Sequence, residues 1–377
     1  MRRSVLFVNP AYHYSFTMRD ELRRGGWRAD VLMPTGYPTQ LLFADDVVSD
    51  AGTAGNRFIR LLRRAVIFAK MLWTYDYFVI YGEAEPFVVT RKLPKFVLRS
   101  GSPELWLMKK LGKRVLFFPH GCRQERLRRD FAKHEGGRLC ANCILPASVC
   151  NDVDNQKTFD LVNRYHDFVI ANTPMVSESL PQKKQIRFVS LDLQQFRPDL
   201  EIPEAFRLPK TGRLRILHSF VDKGRQLGEK NVKGSPYIAA AVRRLEREGA
   251  PVEYFYVNDV PARDMRYYQA QADIVVDQLI YGWWGSTAIE CLGLGKPVVC
   301  YLSPSLKEEF YKTFPDSPLP IVEATTENIY DVLRRLVEDV AYREQKGREA
   351  REFAARHFDV KKNAPEFATL LRSLAKA

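Results

Sequence analysis

One stretch of the chain, residues 272–302, places the strongest limit on its fold. It begins with the apolar, β-branched run Ile274–Val276, continues through a loop that contains Gly282 and Gly285, and then becomes helical in pattern. A second apolar run at 298–301 follows after one turn. Because parallel strands need a long crossover connection, usually a helix, this order predicts two parallel strands. The stretch therefore predicts an α/β fold with a parallel sheet.

The start of the helix in this stretch predicts a site for an anion. Ser286 and Thr287 are expected at the N-cap of a helix over 288–294, where free N–H groups would face a bound anion. Glu290 follows one turn into the helix, and its carboxylate could accept hydrogen bonds from hydroxyl groups. Amides for a phosphate and a carboxylate for a ribose outline a nucleotide-sugar site. An ordinary strand–helix–strand unit with a capped helix has the same pattern, so both interpretations stay open.

The same alternation of strands and helices occurs twice along the chain. It runs from Ser4 onward, is interrupted by a segment at 199–212 that carries prolines and alternating charges, and restarts at Leu214. This predicts two Rossmann-like, doubly wound α/β domains that face an interdomain cleft, a common place for a ligand. The predicted parts are a first domain at 1–198 with a cysteine-rich insertion at 121–157, a second domain at 199–360, and a C-terminal helix at 361–377 that crosses back to the first domain.

The charge of the chain favours anionic partners. Lys and Arg number 58 against 45 Asp and Glu, which gives a net charge of +13 and favours nucleotide phosphates, nucleic acid or an anionic membrane surface. The sequence has no signal-peptide pattern and no apolar run of roughly 18–20 residues, so a cytoplasmic location is expected. The helix predicted at 56–73 mixes apolar and basic positions. It indicates either packing on the sheet with a solvated basic edge, or peripheral contact with the anionic inner face of a membrane.

Four of the six cysteines lie close together in sequence, which predicts a metal site. Cys140 and Cys143 have the Cys-x2-Cys spacing of a zinc half-site, and Cys122 and Cys150 could complete four thiolate ligands. Such a site would be structural, since four ligands leave no open position, and His134 is a further candidate ligand. The alternative is a loop with ordinary thiols. The two other cysteines, Cys291 and Cys300, are expected to be buried as small apolar residues.

Two further features point to the same predicted cleft. Residues 218–234 follow a predicted strand and combine glycines with Lys223, Arg225, Lys230 and Lys233. Cations and a backbone that can approach closely are what a diphosphate needs, although a flexible basic loop would look the same. His120 stands at the carboxyl end of another predicted strand. Its imidazole could position sugar hydroxyls or respond to developing charge, or it could be a hydrogen-bonded structural residue.

These motifs together resemble the C-terminal domain of GT-B-fold glycosyltransferases, most closely the large retaining group related to glycogen and sucrose synthases. The resemblance rests on H-S-F…V-K-G-S-P-Y-I-A-A-A-V-R-R-L, A-D-I-V-V-D-Q and A-I-E-C-L-G-L-G-K-P-V-V-C, with V-S-L-D-L-Q-Q-F-R-P at 189–198. It is good over about residues 186–302 and only topological before them. The E-[AC]-x-x-x-G-K-P-V-V pattern in register with an upstream K-G-[ST] gives the resemblance its specificity.

The resemblance implies a role in nucleotide binding for several residues. Glu290 matches the second Glu of the family's Glu-x7-Glu motif, which binds the ribose. Lys233, followed by Gly234, matches the cation that holds the diphosphate and steadies the leaving group. The family's Arg a few residues earlier has no clean counterpart, but Lys230 or Arg225 could serve.

The resemblance also concerns the donor sugar. It implies that the amides of Gly285, Ser286 and Thr287 meet the diphosphate and the sugar, and that His120 touches the sugar. The chain departs from the family at the first Glu of the motif, where it has Gly282. Asp277 lies just upstream and could supply the carboxylate near the sugar. An Asp at a strand end is as often a cap.

The function predicted from the sequence is transfer of a sugar, with retention, from a nucleoside-diphosphate sugar to a glycan or lipid-linked acceptor, in cell-surface polysaccharide or glycolipid assembly. No catalytic metal is expected, because Lys233 and the helix N-terminus would supply the positive charge. Three alternatives stay open: a GT-B-fold nucleotide-sugar epimerase, a zinc-containing nucleic-acid-binding protein, and a degenerate transferase that only binds. Nucleic acid is disfavoured as a partner, because the basic residues are spread over both halves of the chain.

Overall fold

The chain forms two units, seen here in a computed structural model. The structure describes residues 3–10, 12–33, 57–82, 84, 101–119, 121–131, 138–145, 150–171, 173–177, 179–220, 226–227, 230–258 and 260–376. The first unit consists of Met1–Leu127, Asn151–Ser190 and Val360–Ala377, and the second of Arg128–Cys150 and Leu191–Asp359.

The first unit is built on a six-stranded parallel sheet. Its strands lie in the order β2-β1-β3-β4-β5-β6. They are β1 (Ser4–Val8), β2 (Arg28–Leu32), β3 (Tyr77–Tyr81), β4 (Arg114–Phe118), β5 (Phe168–Ala171) and β6 (Lys183–Gln185). Every residue of β1 and β3 is buried, as expected for strands that are covered on both faces.

Helices of the first unit cover this sheet. They are α1 (Tyr14–Arg24), α2 (Arg57–Thr74), α3 (Pro103–Lys110), α4 (Cys122–Glu125), α7 (Asp152–Tyr165) and α14 (Val360–Lys376). Aromatic contacts attach α14, since the Phe367 ring lies 4.9 Å from that of Phe188 and 6.5 Å from that of Phe7. The Asn363 amide also donates to Ser190 Oγ at 3.0 Å. The C-terminal helix is therefore part of the first unit.

The second unit has a five-stranded parallel sheet in the order β10-β7-β11-β12-β13, and a short antiparallel pair, β8-β9. The strands are β7 (Leu214–Ser219), β8 (Gln226–Leu227), β9 (Lys230–Asn231), β10 (Val252–Val257), β11 (Ile274–Val276), β12 (Val298–Cys300) and β13 (Val322–Glu323). The helices are α5 (Arg128–Phe131), α6 (Arg138–Ala141), α8 (Ser235–Arg247), α9 (Ala262–Ala270), α10 (Ser286–Gly293), α11 (Pro304–Thr313), α12 (Ile329–Glu338) and α13 (Val340–His357), with a 3-10 turn at Glu204–Phe206.

The units divide the chain differently from the segments read off the sequence. The change from the first unit to the second falls between Ser190 and Leu191, whereas the sequence placed it after residue 198. Residues Arg128–Cys150 of the cysteine-rich insertion belong to the second unit, although the sequence assigned all of 121–157 to the first domain. Sequence order alone does not show to which sheet an excursion between two strands attaches.

Arg138 shows how this insertion attaches to the second unit. Its guanidinium donates to Thr326 Oγ1 at 2.6 Å, pairs with Glu327 at 3.7 Å, and lies over the Tyr301 ring at 5.3 Å from the ring centroid. Tyr301 directly follows β12, and Thr326 lies shortly after β13. One cation therefore ties the insertion to the ends of two strands.

No helix in the described part of the chain has both the length and the apolar character needed to cross a membrane.

Candidate functional site

The centre of the candidate site is Asp277, which directly follows β11. Its N–H donates to the Val299 carbonyl at 2.9 Å, and its side chain is 0% exposed. One carboxylate oxygen, Oδ1, accepts from the Lys233 ammonium at 2.5 Å, and Oδ2 accepts from the Gly285 N–H at 2.5 Å. A single buried carboxylate therefore joins the basic loop before α8 to the loop before α10.

The backbone around Lys233 is held on both sides. Asn231 Oδ1 accepts from the N–H groups of Lys233 at 2.8 Å and Gly234 at 3.1 Å, while the Lys233 carbonyl accepts from the Leu279 N–H at 2.9 Å. Gly234 has a φ of +78°, and a Cβ there would lie 3.1 Å from the Leu279 Cβ. The left-handed conformation and the close approach both favour glycine after Lys233. The ammonium group is thus placed by a fixed turn.

The start of α10 differs from the sequence prediction. Gly285 is the N-cap residue, and Ser286 and Thr287 are the first two residues of the helix, so the predicted N-cap was wrong by one residue. The structure has no side-chain cap at this helix start. Asp277 instead satisfies the Gly285 N–H, and a Cβ at Gly285 would lie 3.3 Å from Asp277 Oδ2 and 3.5 Å from Lys233 Nζ. The absence of a side chain lets these three groups come together.

Glu290 lies in α10, in the middle of the buried part of the helix. Its side chain is buried, and Oε2 accepts from the Gln269 side-chain amide at 2.6 Å. Gln269 is the penultimate residue of α9 and is itself buried. The carboxylate that the resemblance assigns to the ribose is therefore oriented by a neighbouring helix, as a binding group should be.

The loop between β11 and α10 is fixed by aromatic packing and by its backbone. The rings of Trp283 and Trp284 are stacked at 4.2 Å, and Trp283 lies 5.8 Å from the Phe310 ring. Gly282 has a φ of +93°, and its carbonyl accepts from the Ser303 N–H at 2.8 Å. A glutamate would be strained in this left-handed conformation. The backbone at position 282 therefore favours glycine over the glutamate that the resemblance would place there.

The sequence did not predict an individual role for three residues of this region. Asn231 builds the turn described above, Gln269 orients Glu290, and His218 links β7 to β11 and α8. The buried His218 ring contacts the Val276 carbonyl through Nδ1 at 2.9 Å and Ser235 Oγ through Nε2 at 2.7 Å. The sequence contains a signal for two of them: His218 is a polar residue inside an apolar strand, and Asn231 lies two residues before the pair Lys233-Gly234.

Other predicted site residues are placed differently or lie outside the description. Lys230 is exposed on β9 and is not part of the group around Asp277. His120, Lys223 and Arg225 fall outside the described residues, so their predicted roles stay predictions.

The predicted zinc site is not supported by the structure. Cys122 belongs to the first unit, whereas Cys140, Cys143 and Cys150 belong to the second. Within the described residues, which include these four but not His134, no group of three or more His, Cys, Asp or Glu could hold a metal ion. The Cys-x2-Cys spacing is compatible with zinc but does not by itself assemble four ligands.

The remaining two cysteines, Cys291 and Cys300, are fully buried, in agreement with the prediction. Burial, together with the nearby carboxylate of Asp277, raises the pKa of both thiols well above its usual range. They therefore stay protonated at neutral pH and behave as small apolar residues.

Comparison with known proteins shows the fold. No protein-family model matches the chain, and no curated protein matches it in sequence. A sucrose-phosphate synthase from Thermosynechococcus elongatus has a TM-score of 0.62 at 15% identity, covering 99% of each chain. Anabaena HepE in complex with UDP-glucose has a TM-score of 0.59 at 13% identity, covering 98% of this chain and 99% of that chain.

A third structure, UDP-GlcNAc 2-epimerase from Neisseria meningitidis bound to UDP-GlcNAc, has a TM-score of 0.53 at 11% identity, covering 99% of this chain and 100% of that chain. The chain therefore has the GT-B fold, and the fold prediction is confirmed. Because this fold is shared by transferases and an epimerase, the function has to be argued from the site.

Proposed function

We propose that the protein is a glycosyltransferase that takes a sugar from a nucleoside-diphosphate sugar. The observation that carries this proposal is that one carboxylate, Asp277, holds the Lys233 ammonium beside the start of α10, with Oδ1 2.5 Å from Lys233 Nζ and Oδ2 2.5 Å from the Gly285 nitrogen. A leaving diphosphate needs such a pair, a cation and the N–H groups at a helix start. Both are fixed by buried contacts, so they need no rearrangement to act together.

Different residues of the second unit would bind different parts of the nucleotide sugar. Glu290 would accept hydrogen bonds from the ribose hydroxyls, as the resemblance implies. Lys233 and the N–H groups of Ser286 and Thr287 would hold the diphosphate, while the Gly285 N–H keeps its hydrogen bond to Asp277. Gly234 lets the backbone approach closely beside Lys233. Asp277, whose side chain is 0% exposed, would stay buried behind Lys233.

The proposed transfer retains the configuration at the sugar. The acceptor hydroxyl would attack on the face from which the nucleoside diphosphate departs. Lys233 and the start of α10 would stabilise the negative charge of the departing diphosphate. This route depends on positioning and on charge stabilisation more than on a strong general base. It assigns no step to a bound metal.

An exposed apolar and basic face on α2 supports a lipid-linked acceptor at a membrane. Trp73 is 86% exposed, an unusual state for a large aromatic side chain. Its exposed neighbours on the helix include both apolar and cationic side chains: Ile59, Leu62, Arg63, Val66 and Lys70. Apolar side chains for the acyl boundary and cations for anionic headgroups are the features of an interfacial helix. We infer peripheral contact with an anionic membrane and assembly of a cell-surface glycan or glycolipid.

Vesicle sedimentation tests the membrane contact. The wild type should sediment with vesicles that contain phosphatidylglycerol and not with pure phosphatidylcholine vesicles. Trp73→Ser should lower the bound fraction, whereas Trp106→Ser, which alters another exposed tryptophan of the first unit, should leave it unchanged. Equal binding by the wild type and Trp73→Ser would remove the membrane part of the proposal.

A thermal-shift screen tests the main proposal. Nucleoside diphosphates and their sugars, with adenine, guanine and uracil as bases, should raise the melting temperature of the wild type. Glu290→Ala and Lys233→Ala should reduce the shift. If no nucleotide stabilises the wild type at millimolar concentration, the proposal fails.

A second candidate function is epimerisation of a nucleotide sugar, because the fold is similar to that of an epimerase. Incubation with the stabilising nucleotide sugar alone, without any acceptor, separates the two. An epimerase would release an epimer, whereas a transferase would need an acceptor to consume the donor. Binding of RNA or DNA with no response to nucleotides would instead favour a nucleic-acid-binding protein.

A further inference from the structure

The Asp277 carboxylate occupies a position that an anionic ligand would be expected to take. Its two oxygens receive the Lys233 ammonium and the N–H of Gly285, the N-cap residue of α10. These are the two kinds of donor that a phosphate group uses at a helix start. The chain itself therefore supplies an anion between the two donors.

This internal anion cannot leave easily. The Asp277 side chain is 0% exposed, whereas that of Lys233 is 15% exposed. A buried carboxylate without its partners is costly, so the chain holds it in place through both hydrogen bonds. A ligand would therefore reach Lys233 from its exposed side while Asp277 stays where it is.

The ammonium group can serve both anions. A lysine has three N–H donors, and Asp277 accepts from one of them, so the same ammonium can also donate to a ligand. The negative charge of Asp277 remains a few ångströms away and repels any phosphate that shares the ammonium. The same carboxylate therefore assembles the diphosphate site and weakens its hold on the diphosphate.

We propose that Asp277 is a positioning residue that acts as a resident anion: it holds Lys233 and the start of α10 together, and it lowers the affinity of the site for a nucleoside diphosphate. This rests on the proposed function, because it takes Lys233 to be a diphosphate ligand. It gives Asp277 a role that does not require contact with the donor sugar. Weaker binding of the diphosphate would help the product to leave after transfer.

Calorimetric titration with ADP, GDP and UDP tests this inference on the full chain. Asp277→Asn removes the charge and should tighten binding by roughly tenfold, as expected for one unit charge removed near a ligand in a partly buried site. Lys233→Ala should weaken binding, and adding Asp277→Asn to it should recover part of the loss, because the carboxylate then no longer repels the diphosphate. Asp316→Asn, at an exposed position of the same unit, should leave the affinity unchanged.

The sign of the change decides the outcome. A residue with a purely structural role would weaken binding when replaced, so unchanged or weaker binding by folded Asp277→Asn overturns the inference. The tighter binding should also fall more steeply with salt than that of the wild type. If Asp277→Asn does not fold, Asp277→Ser is the second variant, since its small polar side chain is also uncharged, and the same sign is expected.

The result also separates this inference from the proposed function. If the wild type binds a nucleoside diphosphate and Asp277→Asn binds no better, only the resident anion is refuted. If neither protein binds any of the three nucleotides, both proposals fail. If only Asp277→Asn binds, the resident anion is supported while the wild-type donor site is not.

Discussion

Replacing Lys233 with alanine should destabilise the second unit strongly. The substitution removes the ammonium from a carboxylate that is fully buried and, among the described residues, leaves the Gly285 N–H as the remaining donor to the Asp277 side chain. A buried ion pair that loses one member leaves an uncompensated charge, which is more harmful than the loss of the pair as a whole.

The size of the effect follows from the burial of the two side chains. Breaking a buried pair costs about 3–5 kcal/mol, and the partial exposure of Lys233 places this site at about 3–4 kcal/mol, since water can reach the vacated space. A unit of this size loses about 2–4 °C in melting temperature per kcal/mol. The expected decrease for Lys233→Ala is therefore roughly 6–16 °C.

Differential scanning calorimetry without ligand measures this decrease. Lys230→Ala is the matched control, because it removes the same side chain three residues earlier from an exposed position. It should change the stability by no more than about 0.5 kcal/mol. The double variant Lys233→Met/Asp277→Leu should recover most of the loss, since it leaves no unpaired charge. The reasoning is refuted if Lys233→Ala melts like Lys230→Ala.

Three other predictions follow from single contacts. Glu290→Gln should weaken binding of the stabilising nucleoside diphosphate by about tenfold, the worth of a hydrogen bond to a charged group, while exposed Glu308→Gln should not, as calorimetric titration will show. Gly347→Ala places a Cβ 2.6 Å from the Gly295 carbonyl oxygen and should lower the free energy of unfolding in urea by about 1–3 kcal/mol. Burial lowers the pKa of His166 to about 3, below its unfolded value of about 6.5, so unfolding takes up a proton and stability falls as the pH drops from 6.5 toward 3. Between pH 7.5 and pH 5, the free energy of unfolding in urea should therefore fall by up to about 2 kcal/mol more for the wild type than for His166→Leu. An equal decrease in both proteins would contradict this assignment.

Much of the second unit could be predicted from local patterns. The apolar run Ile274–Val276, the helix around Glu290 and the strand that begins at Val298 were read directly from the order of residues, and the structure contains all three. The error at the start of α10 was small and has a clear cause. Ser and Thr are common N-caps, but here Asp277 satisfies the Gly285 N–H from another part of the chain.

The cysteines show what local sequence patterns do not predict, namely which distant residues meet. Cys140 and Cys143 have a spacing that suits zinc, yet a metal site also needs ligands from elsewhere at the right distance. The structure assigns Cys122 and Cys150 to different units. Spacing fixes which residues are neighbours along the chain and does not fix which distant residues meet.

By itself, the sequence determined that this chain is an α/β protein with two runs of alternating strands and helices, because strand and helix periodicities and the positions of glycines are local properties of the chain. The GT-B fold was implied by the resemblance of its motifs to a known family. The sequence also named Lys233, Gly285 and Asp277 as separate candidates. Only the tertiary structure decided that these three form one buried group. Lys233 and Asp277 are 44 positions apart, and they meet because the order of the strands brings the loop after β7 beside the end of β11. Such a contact depends on sheet order and burial, neither of which is encoded in a short stretch of residues.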